Sequence, residues 1–545
     1  MVRSVIDPIT RIEGHLRAEM EVTDGVVTDA WVSGGCFRGM ELVVRDRTPE
    51  DAAYIVQRIC GVCPISHAHA SSIAAERAYG ISIPDNARII RNLIEGSQFL
   101  HSHILWFYNL AGLDYVDPLN ALSADPAAAY DLASELGTPS SDFVGLQDRL
   151  KRFAENGQLS IFSGNWFDTG EYNLAPEADL ILTAHYLEAL QMQSKASEIA
   201  ALLGGKMPHV MTVVPGGTAF VPTDEKLDDL KGLVDELYDW VARTMIPDTL
   251  ALARFYPEAA SFGKGVGRYG AWGVFERPSM RMNDRYLPAG VLDEHFELSD
   301  VDESKITEYV GRSWYEGDAD LPPFEQGVKP AFTEYDVEGR YTWNKCPRYD
   351  GKPLETGGFA RLLVAYKRGV PFVIEHIDAM LAAFGGRKGD LSALQSTLGR
   401  TAARQIETLY IAGLMKDWVD ELCEAVKGAD GAYFTVPEND SGSGTGFWEA
   451  PRGALYHSER IEAGKIDDYQ IIIPSTWNLA PHDPDGNYGP LEQALIGVPV
   501  ADIEKPINAL RTVHSFDPCT ACAVHVVEPK TGKSFETVTD PWGVK

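Results

Sequence analysis

The 545-residue sequence has no run of about 18 apolar residues, which excludes a membrane-spanning helix. Its first residues, Met1-Val-Arg-Ser-Val-Ile-Asp-Pro, lack the apolar stretch of a secretory signal, so any export or membrane attachment is expected to come from a partner chain. Positive charge is scarce: 48 Lys and Arg stand against 79 Asp and Glu, a net charge of -31. Binding a phosphate backbone needs concentrated Lys and Arg, so a nucleic-acid partner is excluded, and the acids, spread along the chain, read as a solvated surface. Seven cysteines are too few for a disulfide scaffold, and an odd count does not pair completely. Pro/Gly/Ser-rich linkers, low-complexity blocks and solenoid repeats are also missing, so residues 1–545 read as one large domain with insertions.

What is present is ample apolar material, 45% of the residues, and strong helical periodicity. Residues 86–112 carry Leu93, Leu100, Ile104, Phe107 and Ala111 at steps of three, four and seven. Residues 178–203 repeat the signal through Leu180, Ala184, Leu187 and Leu190, with Gly204-Gly205 as the stop. Residues 224–254 and 391–426 are further candidates, the latter with Leu398, Ala402, Ile406 and Leu409 on one face. Residues 1–35 alternate apolar and polar around an Asp24-Gly25 turn and predict a β-hairpin region. Residues 257–355 are weakly periodic and predict a mixed strand and loop insertion. The expected class is α+β, mostly α: a central bundle of long helices with small peripheral sheets.

Four of the seven cysteines form two Cys-x-x-Cys pairs, Cys60/Cys63 and Cys519/Cys522, and Cys36, Cys346 and Cys423 stand alone as buried small apolar side chains. In a zinc ribbon the second pair follows within about 20 residues. Cys63 and Cys519 are 456 positions apart, which favours a site closed only when the whole domain folds. Four thiolates suit zinc, iron or nickel. His525 after Cys522 leaves a further zinc ligand open as a reading.

The flanks narrow the choice. Arg58-x-Cys60-x-x-Cys63-x-x-x-His67 and Asp517-Pro-Cys519-x-x-Cys522-x-x-His525 resemble the two diagnostic motifs of nickel-iron hydrogenase large subunits. The resemblance runs along the chain through Arg11-Ile-Glu13-Gly-His15, Phe37-Arg-Gly-Met-Glu41, Gly204-Gly-Lys-Met-Pro-His209, Glu449-Ala-Pro451-Arg452-Gly and Pro474-Ser475-Thr-Trp-Asn478. One departure is Ser102, where some relatives carry an Asp near the active-site arginine.

The resemblance implies reversible cleavage of dihydrogen at a nickel-iron centre with carbon monoxide and cyanide on iron. It implies that all four cysteines bind nickel and that Cys63 and Cys522 also bridge to the iron. Cys519 would take the proton and Glu13 relay it, although a Glu beside an Arg is ordinarily a surface ion pair. Arg452 would stand over the metals as base or as electrostatic positioner; its high pKa makes it a poor base. Arg452 and Ser475 would bond the cyanides, His67 would sit against a bridging sulfur, and Pro451 and Asp517 would complete the cofactor pocket. Glu41, a carbonyl near Ile471 and His525 would bind magnesium, and residues 526–545 would form a tail removed by a maturation protease.

With four cysteines on metal, three scattered thiols cannot hold an iron-sulfur cluster, so electrons are expected to leave through an iron-sulfur small subunit toward a membrane cytochrome or another acceptor. The expected location is periplasmic or membrane-associated through that partner, with the cytoplasm as alternative. The segment Ser396-Thr-Leu-Gly-Arg400-Thr-Ala-Ala-Arg404, expected away from the metals, resembles the respiratory uptake branch. Competing readings are a hydrogen-evolving or cytoplasmic relative, a non-catalytic complex I-like relative that has lost its thiolates, and a structural zinc protein.

Overall fold

The computed structural model describes residues 2–159, 162, 165–383, 385–427 and 431–520. Strand β1 (Val2–Ile6) pairs antiparallel with β2 (Leu16–Thr23), which pairs with β3 (Val26–Gly34) across Asp24-Gly25, both with positive φ. The predicted hairpin is therefore part of a three-stranded sheet.

The helical stretch after Pro49 breaks at the first cysteine pair, as the Gly and Pro there predict. Cys60 is extended, Cys63 caps the next helix, and Pro64 opens α1 (Pro64–Tyr79), where a missing N–H costs nothing. The bundle follows: α2 (Asp85–Ile104), α3 (Pro176–Gly204), α4 (Asp224–Trp240) and, past α5 (Gly358–Lys367), α6 (Thr397–Val426). Each of these four long helices packs against two others, with α2 and α4 on opposite corners. Gly96 lets α2 approach α6 so closely that a Cβ there would lie 2.9 Å from the Met415 sulfur.

Two of the predicted helices change pitch. A π-helical turn, Leu105–Ala111, continues α2, and another, Val241–Met245, follows α4 before helix Ile246–Phe255. The buried face of α3 also differs from the predicted stripe: Leu190 is 41% exposed, whereas Ala189, Ala196 and Ala200 are buried. A ridge of small side chains brings the helices nearer than a leucine stripe would allow. Trp106, Phe107 and Tyr108 are buried in the chain's own core.

Residues 257–355 carry the expected short strands and turns. The region after α6 was not anticipated. It forms an antiparallel meander of β4 (Gly442–Ala450), β5 (Gly453–Glu462) and β6 (Lys465–Ile472). Gly442, Gly444 and Gly446 alternate along β4, and α1 lies directly on that face. A Cβ at the three positions would come within 2.1, 2.1 and 1.8 Å of the carbonyl oxygens of Ala78, Ala74 and Ala70. Only glycine allows this contact, and it fixes the helix that begins at Cys63 against the sheet that ends beside Arg452. Helix α7 (Ile507–Ser515) then returns the chain to the centre. Among the described residues no helix is long and apolar enough to cross a membrane.

Candidate metal centre

Cys60, Cys63 and Cys519 meet: their sulfurs all lie within 4.8 Å of one another, and Cys60 Sγ to Cys519 Sγ is 3.3 Å. All three are buried. Cys522 and His525, and the predicted tail at 526–545, lie outside the described residues. The Cys60 sulfur accepts the backbone N–H of Cys63 at 3.1 Å and of Val62 at 3.4 Å, so the turn itself orients it. The Cys519 backbone N–H donates to Ser475 Oγ at 2.9 Å, and the Thr520 N–H donates to the Glu13 carbonyl at 2.6 Å. Glu13 and Cys519 thus form a parallel bridge that ties the amino-terminal loop to the carboxy-terminal arm.

Burial and the neighbouring Cys519 thiol push Cys60 well above its ordinary pKa; for Cys63, sharing with Cys519 and Cys60 acts first and burial adds to it. Such thiols ionise together only around a cation. Arg452 stands beside them, fully buried. Burial opposes its charge, but Asp517 and the three sulfurs outweigh burial and raise its pKa well above the ordinary value. Its Nη2 lies 3.0 Å from Asp517 Oδ1, an ion pair that makes no hydrogen bond. Nη1 reaches Ser102 Oγ only at 3.5 Å. Arg452 Nε and Nη2 and Asp517 Oδ2 are buried without a hydrogen-bond partner among the described residues. Unsatisfied groups of this kind call for a missing ligand, since each costs about 1–3 kcal/mol when left unpaired. Soft donors, a resident cation and unpaired donors directly alongside fit a thiolate-held nickel centre with small acceptor ligands.

Cys63, His67, Arg452, Pro474, Ser475 and Cys519 line one small cavity. Burial pushes His67 down to about 4, so the ring is neutral. Glu13, half-buried, accepts the Gly61 N–H at 3.4 Å through Oε1; burial and then Cys519 raise its pKa. This is not the solvated ion pair that a Glu beside an Arg suggests. Pro451 is buried with its carbonyl accepting from Arg361 Nη2 at 2.8 Å. A second cavity, reaching Cys519 and Thr520, brings Glu41 and Ile471 together with Lys345 and Glu308. Burial raises the pKa of Glu41 against the opposing pull of Lys345.

Sequence reasoning missed the scaffold behind these groups. Arg361 on α5 forks onto Glu407 at 2.6 and 2.7 Å, reaches Glu449 Oε2 at 2.6 Å and donates to the Ala450 carbonyl at 3.0 Å. His103 Nε2 meets Glu407 Oε2 at 2.9 Å. Of the segment 396–404, expected away from the metals, Arg404 reaches the cysteine arm: its Nη1 donates to the Ser515 carbonyl at 2.8 Å, two residues before Asp517. It lies there because α6 runs through the centre of the molecule. Of the lone cysteines, Cys36 and Cys346 are buried and Cys423 is half-buried. Glu449 and Arg404 stood within quoted segments without a scaffold role being read from them; single buried charges leave no periodic signal.

Comparison with known proteins agrees with this geometry. Residues 38–525 match the family model described as nickel-dependent hydrogenase. The Hydrogenase-2 large chain of Escherichia coli (strain K12) is 39% identical over 96% of this chain and 97% of its own length. The uptake hydrogenase large subunit of Bradyrhizobium diazoefficiens is 37% identical over 97% and 96%. The solved Ni-Fe-Se hydrogenase of Desulfovibrio vulgaris Hildenborough in the reduced state superposes with a TM-score of 0.80, at 35% identity over 96% of this chain and 100% of that one. With three of four thiols converging from opposite ends of a chain that matches along nearly its whole length, the protein belongs to the nickel-dependent hydrogenases as a large, catalytic subunit.

Proposed function

We propose that Cys60, Cys63, Cys519 and Cys522 hold nickel, that Cys63 and Cys522 also bridge to an iron bearing carbon monoxide and cyanide, and that the enzyme works in hydrogen uptake. The observation that carries this is the meeting of Cys60, Cys63 and Cys519 in a buried cluster beside a buried arginine with unpaired N–H groups. Relatives named uptake hydrogenase support the direction. When bound, such a centre would supply the polarisation that splits dihydrogen, a nonpolar and very weak acid, into two protons and two electrons.

The protein's share starts at Cys519 Sγ, which takes a proton from the first cleavage. Glu13 receives it: a carboxyl whose pKa is raised by burial stands closer in proton affinity to a thiol, and transfer between matched groups is easiest. Arg452 remains protonated, and its fixed positive charge, aligned by Asp517, orients and stabilises rather than accepting a proton. Ser475 Oγ accepts from the Cys519 N–H, so its own hydroxyl proton is left to donate into the cavity toward a cyanide. His67, which shares a cavity with Cys63, would sit against that sulfur if it bridges, and Pro451, gripped by Arg361, sets the place of Arg452.

Glu41, the Ile471 carbonyl and His525 would hold magnesium, a hard cation that suits oxygen ligands. Electrons pass to an iron-sulfur small subunit and then to a membrane cytochrome or another acceptor, and the assembly sits in the periplasm or at the membrane through that partner. A maturation protease would remove residues 526–545. Elemental analysis with infrared spectroscopy of the purified enzyme tests the centre. Nickel, iron and bands of metal-bound carbon monoxide and cyanide are expected, and zinc without nickel would refute it. Cys519→Ala should abolish hydrogen turnover.

A further inference from the structure

Behind His67 lies a line of buried polar rings that no step above uses. His67 Nδ1 is 3.0 Å from His457 Nε2, and His457 Nδ1 is 2.7 Å from the Tyr469 hydroxyl. All three side chains are buried. Their meeting follows from the glycine face of β4. His457 on β5 stands directly opposite Gly446, so it shares the face that carries α1, and the close approach of α1 at Gly446 brings His67 down onto it.

Burial keeps an imidazole without a carboxylate partner neutral, and among the described residues neither ring hydrogen-bonds a carboxylate. A neutral imidazole has one N–H and one lone pair, so each hydrogen bond in a row dictates the next. The row starts at the tyrosine. A phenol is a much stronger acid than an imidazole N–H, and an imidazole nitrogen is a much stronger base than a phenol oxygen. The favoured direction is therefore O–H to N, and the separation of 2.7 Å is usual for an O–H donor and short for an N–H donor. His457 Nδ1 then accepts, its proton sits on Nε2 and points at His67 Nδ1, and the His67 proton is displaced to Nε2. With the roles reversed, His67 would turn a lone pair toward the sulfurs.

We infer that Tyr469, acting through His457, is a positioning residue that fixes the tautomer of His67, so that His67 presents an N–H to the cavity it shares with Cys63 and Cys519. The consequence for the metals rests on the proposal that those cysteines are ligands; the proton order along the three rings does not. A donor facing a thiolate withdraws electron density from it, and a lone pair there repels it. Tyr469 thereby sets how strongly the sulfur donates to its metal.

Neutron diffraction of the assembled, deuterium-exchanged enzyme reads the order directly. Deuterium is expected on Nε2 of His67 and Nε2 of His457, with the Tyr469 O–D aimed at His457 Nδ1. Deuterium on Nδ1 of either histidine overturns the inference, and this arm needs no variant to fold. The second arm is infrared spectroscopy of Tyr469→Phe against Tyr456→Phe, a neighbour on β5 whose hydroxyl bonds Glu303 instead. In Tyr469→Phe the bands of iron-bound carbon monoxide and cyanide should move to lower frequency as the sulfur regains electron density, and in Tyr456→Phe they should stay. Unmoved bands in Tyr469→Phe overturn the tuning role. Elemental analysis of the same samples separates the two readings: absent nickel would refute the metal assignment while the deuterium positions still decide the tautomer.

Discussion

The two halves of the metal centre are held by different forces. Cys60 and Cys63 stand at the start of α1, which lies on β4 with no side chain between helix backbone and strand along Gly442, Gly444 and Gly446. Cys519 lies past the end of α7, where its N–H on Ser475 Oγ and its bridge to Glu13 are among the contacts that hold it. Behind that arm, α7 is fastened by polar pairs: His514 Nδ1 to Asp114 Oδ2 at 2.5 Å, and Arg511 onto the Asp114 carbonyl. Packing fixes the first pair; α7 is packed in the core as well, but past its end directional bonds latch Cys519. Packed backbone can give way only by moving a whole helix, whereas a latch opens one bond at a time. This difference suits a site that closes around its metals after most of the chain has folded.

The largest effect is expected where the packing is tightest. Gly446→Val places a Cβ 1.8 Å from the Ala70 carbonyl oxygen, so α1 must lift from the sheet. Overpacking of this severity costs on the order of 3 kcal/mol or more. Denaturant unfolding should show the loss, and nickel content should fall although no ligand is touched. Ser475→Ala tests the latch. The hydrogen bond from the buried Cys519 N–H is removed, a local cost of about 1–3 kcal/mol. The melting temperature should scarcely move while nickel occupancy drops. If Ser475→Ala lowered the melting temperature as much as Gly446→Val, the distinction between packed and latched halves would fail.

The long helices and the hairpin were legible in the sequence because each repeats an apolar spacing over several turns, and the meeting of Cys60, Cys63 and Cys519 was legible because their separation disfavours a local module. The glycine face of β4 was not. Gly-x-Gly-x-Gly lacks the apolar alternation that marks a strand, and its meaning appears only with α1 against it. Leu190 read as core because spacing alone cannot tell a leucine stripe from an adjacent ridge of alanines. Arg361, Glu407 and His103 come from three helices and meet only in the folded chain, so nothing local announces them. The same holds for Arg404, whose place beside Asp517 depends on the path of α6.

The buried charges of the packed half predict a pH dependence. Against the cost of burial, Arg361 holds Glu407 down to about 2; burial pushes Glu449 up to about 7, with Arg361 offsetting part of the rise. Between the ordinary value of 4.5 and about 7 the native state keeps a proton on Glu449 that the unfolded chain has released. The contribution of this group to stability is therefore full below 4.5 and is lost as pH rises through 7. Glu407 has the opposite sign: its contribution is present above 4.5 and is lost as pH falls toward 2. Urea midpoints of Glu449→Gln should lack the wild-type fall between about pH 5 and about pH 8 and keep the loss on the acid side.

The smallest expected effect lies on a cysteine outside both halves. Cys423 is half-buried near the end of α6, and burial is what raises its pKa; among the described residues it has neither the neighbouring sulfurs nor the arginine that mark the centre. Cys423→Ala removes a small apolar group and should cost less than about 1 kcal/mol, with nickel content and hydrogen turnover unchanged. The contrast with Cys60→Ala, which strips a sulfur from the packed half, isolates position from residue type. A loss of nickel in Cys423→Ala would mean that metal is captured by a thiol far from α1, and a site that can draw on a half-exposed sulfur is not one fixed by packing on the β4 face.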